Sequence, residues 1–328
     1  MKSTDNLKYM SATSFNSMNR ANVYWQPNRY CNYECSYCWP SAHQSKKDFL
    51  DEDTYLVAID HIIRQYKNSG FKNLFWSWAG GEVTFNPHYL TILDEIQSYN
   101  IVSSFSTLVT NLSQSIKWWE KFVQCTKKFK RVKINGSWHK EYLITGKQQE
   151  LFKEKLVYLK NNGVSSHASC VMLPGELQQM LKLREFFDEE EIPVSVKPCR
   201  SRGLIIEGYS KEEINFFKQE VKHRRDGIVA IDFNNNKKWY TSAEQLQTED
   251  INFLGWNCAA GYSSITINND GTVTRGTICR QEVLGNIKEG FTIFKSPTPC
   301  ITDKYCNCNS DLVLPKWRAN GNSMLKVG

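Results

Sequence analysis

The feature that most constrains this chain is an alternation of strand-like and helix-like stretches between residues 22 and about 200. Residues 52 to 68 put Leu56, Ile59, Ile62, Ile63 and Tyr66 on one helical face, with charged residues between them. The pattern continues as a strand over 73–78, a helix over 87–99 and a strand over 101–109. A helix over 113–125, a strand over 131–135 and a helix over 150–161 ending near Gly163 follow. A strand over 164–172, a helix over 176–189 and a strand over 194–197 complete it. Strands alternating with helices of this length build a parallel sheet from βαβ units. About six units are too few for a closed eight-unit barrel, so the expected class is α/β, a partial (β/α)6 TIM-like barrel. Active residues then belong at the C-terminal ends of the strands.

The pattern changes after residue 200. A helix is expected over 212–225, and strands over 264–267 and 272–275 flank Asn268-Asn269-Asp270-Gly271, a hairpin turn. The expected organisation is an N-terminal segment over 1–21 and the partial barrel over 22–204. A linking and helical region over 205–254 and a small α+β extension over 255–328 follow. The first twenty residues hold no continuous apolar run, which points away from a secretory signal and towards the cytoplasm. No window reaches the ~20 apolar residues of a membrane span. A net charge of +7 favours anionic ligands in general and is too small to indicate nucleic acid.

Eleven cysteines are many for a chain without an export signal. In a reducing compartment, closely spaced thiolates are more often metal ligands than disulfides. The sharpest group is Cys31, Cys35 and Cys38, soon after Val23-Tyr24-Trp25, which reads as the first strand. Three thiolates can hold three irons of a [4Fe–4S] cluster and leave the fourth open. A structural zinc site wants four ligands in paired hooks, and His43 is the closest histidine. A zinc-stabilised nucleic-acid-binding module is the rival reading from another class.

CxxxCxxC followed by the aromatic Trp39, near the start of an α/β chain, resembles the radical S-adenosylmethionine (SAM) superfamily. The resemblance implies that Cys31, Cys35 and Cys38 are catalytic and hold a site-differentiated [4Fe–4S] cluster whose open iron chelates SAM. One electron then cleaves SAM to a 5′-deoxyadenosyl radical, which abstracts a substrate hydrogen atom. Gly80-Gly81-Glu82 closes the second strand, where the family carries its SAM amino-group motif. Two glycines let backbone approach a ligand, and a carboxylate suits an ammonium. Thr110 and Asn111 at the third strand end and Ser137 after the fourth stand where relatives touch the ribose or carboxylate of SAM. Capping is the plainer role of such residues. His139 shares that mouth and is a candidate contact to nucleoside or substrate. Cys199, flanked by Lys197 and Arg200 after the sixth strand, is a candidate hydrogen-atom donor.

The C-terminal run Cys258-Ala-Ala-Gly261, the hairpin, Cys279 and Gly285-Asn286-Ile287, then Cys300, Cys306 and Cys308, resembles the twitch and SPASM extensions that bind auxiliary clusters. Five cysteines fit one auxiliary [4Fe–4S] cluster on Cys258, Cys279, Cys306 and Cys308, with Cys300 in reserve. A structural zinc on these cysteines is the alternative.

The resemblance implies an electron donor such as flavodoxin or ferredoxin, and a substrate that is a peptide residue to be oxidised, cross-linked or epimerised. A small metabolite, such as a sugar, aminocyclitol or amino acid, fits equally, with RNA a distant third. The segment before the first strand is too short for a separate leader-peptide-binding domain.

Overall fold

The computed structural model describes residues 5–12, 19–38, 46–99, 103–201, 204–222, 227–240, 251–277, 279, 282–302, 306 and 309–318. In chain order its first half has β1 (Leu7–Ala12), β2 (Arg20–Trp25), α1 (Glu52–Asn68), β3 (Asn73–Trp78), α2 (Tyr89–Ser98), β4 (Ser103–Thr110) and α3 (Ile116–Gln124). Next come β5 (Arg131–Trp138), α4 (Gly146–Asn161), β6 (Ser165–Met172), α5 (Leu177–Asp188), β7 (Val194–Pro198), β8 (Arg200–Ser201), β9 (Leu204–Ile205) and α6 (Lys211–Lys222). The remainder is β10 (Ile228–Asp232), β11 (Lys237–Tyr240), β12 (Asn257–Cys258), β13 (Ser264–Ile267), β14 (Thr272–Thr274), β15 (Val283–Asn286), β16 (Gly290–Phe291), β17 (Thr298–Pro299), α7 (Asn309–Leu312) and β18 (Lys316–Trp317). The chain divides into two compact units, one of residues 25–56 and 76–220, the other of 1–24, 57–75 and 221–328.

The βα alternation runs through β2 to β7, which follow one another in the sheet in chain order, and its residues 25–56 and 76–220 fall in the first unit. The pairs β4–β5, β5–β6 and β6–β7 are parallel. This is the α/β partial barrel expected from the alternation. Its outer core is aromatic. Trp25 and Trp76 lie 5.5 and 5.9 Å from Trp78, all three rings closed to solvent, and Tyr89 meets Trp78 edge-on at 5.3 Å.

Two elements outrun the sequence pattern. β5 reaches Trp138 because Gly136, Ser137 and Trp138 pair with Ala168, Ser169 and Cys170 of β6. Asn135-Gly136-Ser137 looks like a turn locally, and strand pairing overrides it. A β-carbon on Gly136 would come 2.8 Å from Leu112 Cδ1 and 3.0 Å from Phe152 Cζ, so glycine lets these side chains pack closely over the strand. Ser137, expected just beyond the fourth barrel strand, therefore lies inside β5. Helix α4 begins four residues before the position read from periodicity, since Thr145 and Gln148 form a reciprocal capping box.

The second unit holds a six-stranded sheet ordered β11-β10-β1-β18-β12-β17, with every described pairing antiparallel. The sequence reading separated residues 1–21 and 205–254 from the C-terminal extension. The structure instead pairs β1 with β10 and with β18, so parts of all three stretches build one sheet. Pairing between strands some two hundred residues apart leaves no local signature. The expected hairpin forms as β13 and β14, with Gly271 at φ +87° in its turn. β15 and β16 extend it antiparallel. Arg275, fully buried, holds this unit together by donating to the carbonyls of Ala260, Thr298 and Pro299 and to Glu282. Among the described residues no helix is long and apolar enough to cross a membrane.

Candidate active site

The site lies in the barrel unit, on the loop that follows β2. The Cys38 amide donates to the Cys35 carbonyl at 2.9 Å, turning the loop so that the three cysteines share one short arc. The Tyr33 amide donates to Cys31 Sγ at 3.4 Å. Burial pushes Cys31 up to about 11 and Cys35 up to about 12, with Cys38 adding to both shifts and Cys31 to that of Cys35. Glu82 adds to the Cys31 shift, so the carboxylate stands within electrostatic reach of this loop.

Gly80 and Gly81 are required by the chain's own packing. A β-carbon on Gly81 would lie 2.4 Å from the Arg29 carbonyl oxygen, and one on Gly80, at φ +134°, 2.4 Å from that of Asn28. The close approach is to the root of the cysteine loop. There Gly81 N donates to Asn28 O at 3.0 Å and Glu82 N to Tyr30 O at 2.7 Å. Asn28, fully buried, adds its side-chain amide to the carbonyls of Tyr30 and Glu82. The strand end and the cysteine loop are thereby one rigid piece.

Glu82 itself is 2% exposed. Its Oε1 accepts from the hydroxyls of Thr84 (2.6 Å) and Thr110 (2.7 Å) and from the Thr84 amide (3.3 Å). Its Oε2 accepts from the Asn111 amide at 2.6 Å. Burial raises its pKa, while these hydrogen bonds favour the anion. Among the described residues no ion pair neutralises it. Thr110 and Asn111 were expected at the ribose or carboxylate of SAM. In the structure the Thr110 hydroxyl and the Asn111 amide donate to Glu82, and the Asn111 side chain donates to Asn32 Oδ1 at 2.8 Å.

The segment after β5 grips the cysteine loop at three successive points. His139 Nδ1 meets Cys35 Sγ at 3.2 Å and the Tyr37 hydroxyl at 3.0 Å. Glu141 accepts from both the amide and the hydroxyl of Ser36, and these bonds hold its carboxyl below the usual range. The Glu34 amide donates to the Tyr142 hydroxyl at 2.5 Å. Tyr142 stacks on Tyr33 at 3.9 Å with the planes 3° apart. Tyr33, Tyr37, Glu141 and Tyr142 were not foreseen, because contacts across more than a hundred residues have no local signal. The aromatic Tyr37 between two motif cysteines was the one hint available.

Cys199 is buried just beyond β7, its amide bonded to the Tyr209 hydroxyl at 2.8 Å. The charge of Lys140 is felt at Cys199 and at Cys170, which puts these thiols near the segment after β5. Trp39 and Cys308 lie outside the described residues. In the second unit, Cys258, Cys300 and Cys306 belong to one buried core. The Cys279 thiol is hydrogen-bonded to Cys300, which lowers Cys300 to about 6 and raises Cys279. Cys300, held in reserve on the sequence, thus stands against Cys279.

A family model described as the radical SAM superfamily matches residues 25–187. The chain belongs to the radical SAM superfamily. It is a radical SAM enzyme, and its family works with a [4Fe–4S] cluster and SAM. Solved structures sharing the fold include native anSMEcpe with bound AdoMet, at 18% identity and a TM-score of 0.56, covering 82% of this chain and 78% of that one. Another is Streptococcus suis SuiB bound to precursor peptide SuiA, at 17% identity and a TM-score of 0.50, covering 78% and 59%. Among curated protein sequences none matches significantly.

The residues present fit the radical SAM cofactors. Cys31, Cys35 and Cys38 lie on one turned loop, with Glu82 within electrostatic reach, and three thiolates are what a site-differentiated cubane takes from its protein. The bound iron would also stabilise thiolates that burial alone disfavours. The buried Glu82 anion matches a ligand that brings an ammonium group.

Proposed function

We propose that this radical SAM enzyme holds its cluster on Cys31, Cys35 and Cys38, receives the SAM amino group beside Glu82, and modifies a residue of a peptide or protein. The observation that carries the site reading is the Glu82 carboxylate. Four hydrogen bonds orient it, it is closed to water, and it has no ion pair among the described residues. A buried anion is stable when its partner cation arrives with the ligand.

A cluster held by Cys31, Cys35 and Cys38 would supply the electron for reductive cleavage of SAM, and with it the means to remove a substrate hydrogen atom. The chain's own part is geometric. Asn28, Gly80 and Gly81 lock the strand end to the cysteine loop, Thr84, Thr110 and Asn111 aim the carboxylate, and His139, Glu141 and Tyr142 fix the loop from the other side. A flavodoxin or ferredoxin would deliver the electron. In the second unit we assign one auxiliary cluster to Cys258, Cys279, Cys300 and Cys306, on the strength of the Cys279–Cys300 contact and the shared core.

The peptide substrate is supported by two relatives in fold: anSMEcpe is solved with AdoMet and the Kp18Cys peptide, and SuiB with its precursor peptide. The test is 5′-deoxyadenosine yield from the reduced enzyme supplied with fractionated cell extract. A peptide fraction should stimulate the yield, and protease treatment of that fraction should abolish the stimulation. Stimulation that survives proteolysis would move the substrate to the small metabolites.

A further inference from the structure

His139 follows β5 directly, and its ring is held on two sides. Tyr37 stacks against it at 6.0 Å and 16°, and Tyr33 meets it edge-on at 5.7 Å and 89°. Tyr33 is braced in turn by Tyr142. These contacts fix the plane of the imidazole, and its polar contacts place Nδ1 on the Cys35 sulfur and the Tyr37 hydroxyl.

The hydrogen at that contact has three possible owners, because the Tyr37 hydroxyl reaches both Nδ1 and the Cys35 sulfur. A free Cys35 thiol can donate to Nδ1. A sulfur that ligates iron carries no proton and can only accept. A bare Nδ1 lone pair facing that sulfur would be repulsive, so ligation selects the tautomer with hydrogen on Nδ1, and the Tyr37 oxygen can share it. We infer that His139 is a positioning residue that donates a hydrogen bond from Nδ1 to the Cys35 sulfur and thereby sets the reduction potential of the cluster. The inference rests on the reading of Cys35 as an iron ligand. A donor aimed at a ligand sulfur favours the more negative, reduced cluster, so its removal makes reduction harder.

The test uses the full chain, reconstituted with iron and sulfide, in a redox titration followed by electron paramagnetic resonance without SAM. The relevant signal is the one that added SAM perturbs. His139→Phe keeps a ring between the tyrosines and removes the N–H, while His139→Asn places an amide N–H near the Nδ1 position. At a fixed potential the reduced-to-oxidised ratio of the Phe variant should fall about tenfold, which is 59 mV for one electron. The Asn variant should recover most of that ratio. Beside the coupling from the Tyr33 amide on Cys31 Sγ, which all three proteins keep, a further exchangeable-deuteron coupling to the reduced cluster in heavy water should be present in wild type and Asn and lost in Phe. A Phe variant with wild-type iron, potential and deuteron coupling overturns the inference. If the Phe variant takes up no iron, the Asn variant decides: the further coupling supports the inference and its absence overturns it. A wild-type chain that builds no SAM-responsive cluster overturns the reading of Cys35 and the inference with it.

Discussion

Gly81 meets Tyr30 so closely that a β-carbon on the glycine would stand 2.2 Å from the tyrosine carbonyl oxygen. Backbone lies on both sides of that contact, so no side-chain rotation can relieve it. Gly81→Ala should therefore destabilise the protein by about 1–3 kcal/mol, the usual cost of overpacking, and lower iron uptake at the N-terminal cysteines. Denaturant unfolding and iron analysis read the two effects. Gly146→Ala, at a position with open space around it, is the control and should leave both unchanged.

Thr110→Val removes one hydroxyl from Glu82 Oε1 while keeping the shape of the strand end. A buried acceptor short of one donor costs about 1–3 kcal/mol. The carboxylate should also lose its aim, and SAM affinity of the reconstituted enzyme should fall several-fold by equilibrium dialysis. Unchanged affinity would detach Thr110 from the orientation of Glu82.

Glu141 is only partly buried and its bonds are to Ser36 of the loop, so Glu141→Ala should change global stability by no more than about 1 kcal/mol. The Ser36 amide, however, donates to this carboxylate at 2.9 Å. Its hydrogen exchange should speed up several-fold in the variant, because the local opening of the loop becomes easier. Wild-type exchange at Ser36 would show that the loop needs no clamp there.

Cys300→Ala should remove the iron of one cluster and leave SAM cleavage largely intact, whereas Cys308→Ala should keep the full iron content. Iron analysis of the two variants decides between the quartet containing Cys300 and the one containing Cys308. Retained iron in the Cys300 variant would favour the second.

Much of the barrel was legible because its signals are local. Leu56, Ile59, Ile62 and Ile63 recur at helical spacing, and Gly163 and Gly271 take the positive φ that their turns require. The motif cysteines and Gly80-Gly81-Glu82 were legible as a spacing, yet the reason for the glycines was not. Whether a backbone meets a ligand or its own chain depends on what residues fifty positions earlier do. The clamp of His139, Glu141 and Tyr142 was invisible for the same reason, as was β1, whose partners lie in β10 and β18. The reach of β5 through Gly136 was masked by turn-like composition, which strand pairing overrode.

The central claim is that three sulfurs of one loop, with Glu82 beside them, make a site that cleaves SAM reductively. The most direct measurement is 5′-deoxyadenosine formed by the reconstituted, dithionite-reduced enzyme and by Cys35→Ala prepared in parallel. The account predicts product from the wild type and none from the variant. A fully loaded wild type that makes no product, or equal yields from the two proteins, would contradict it.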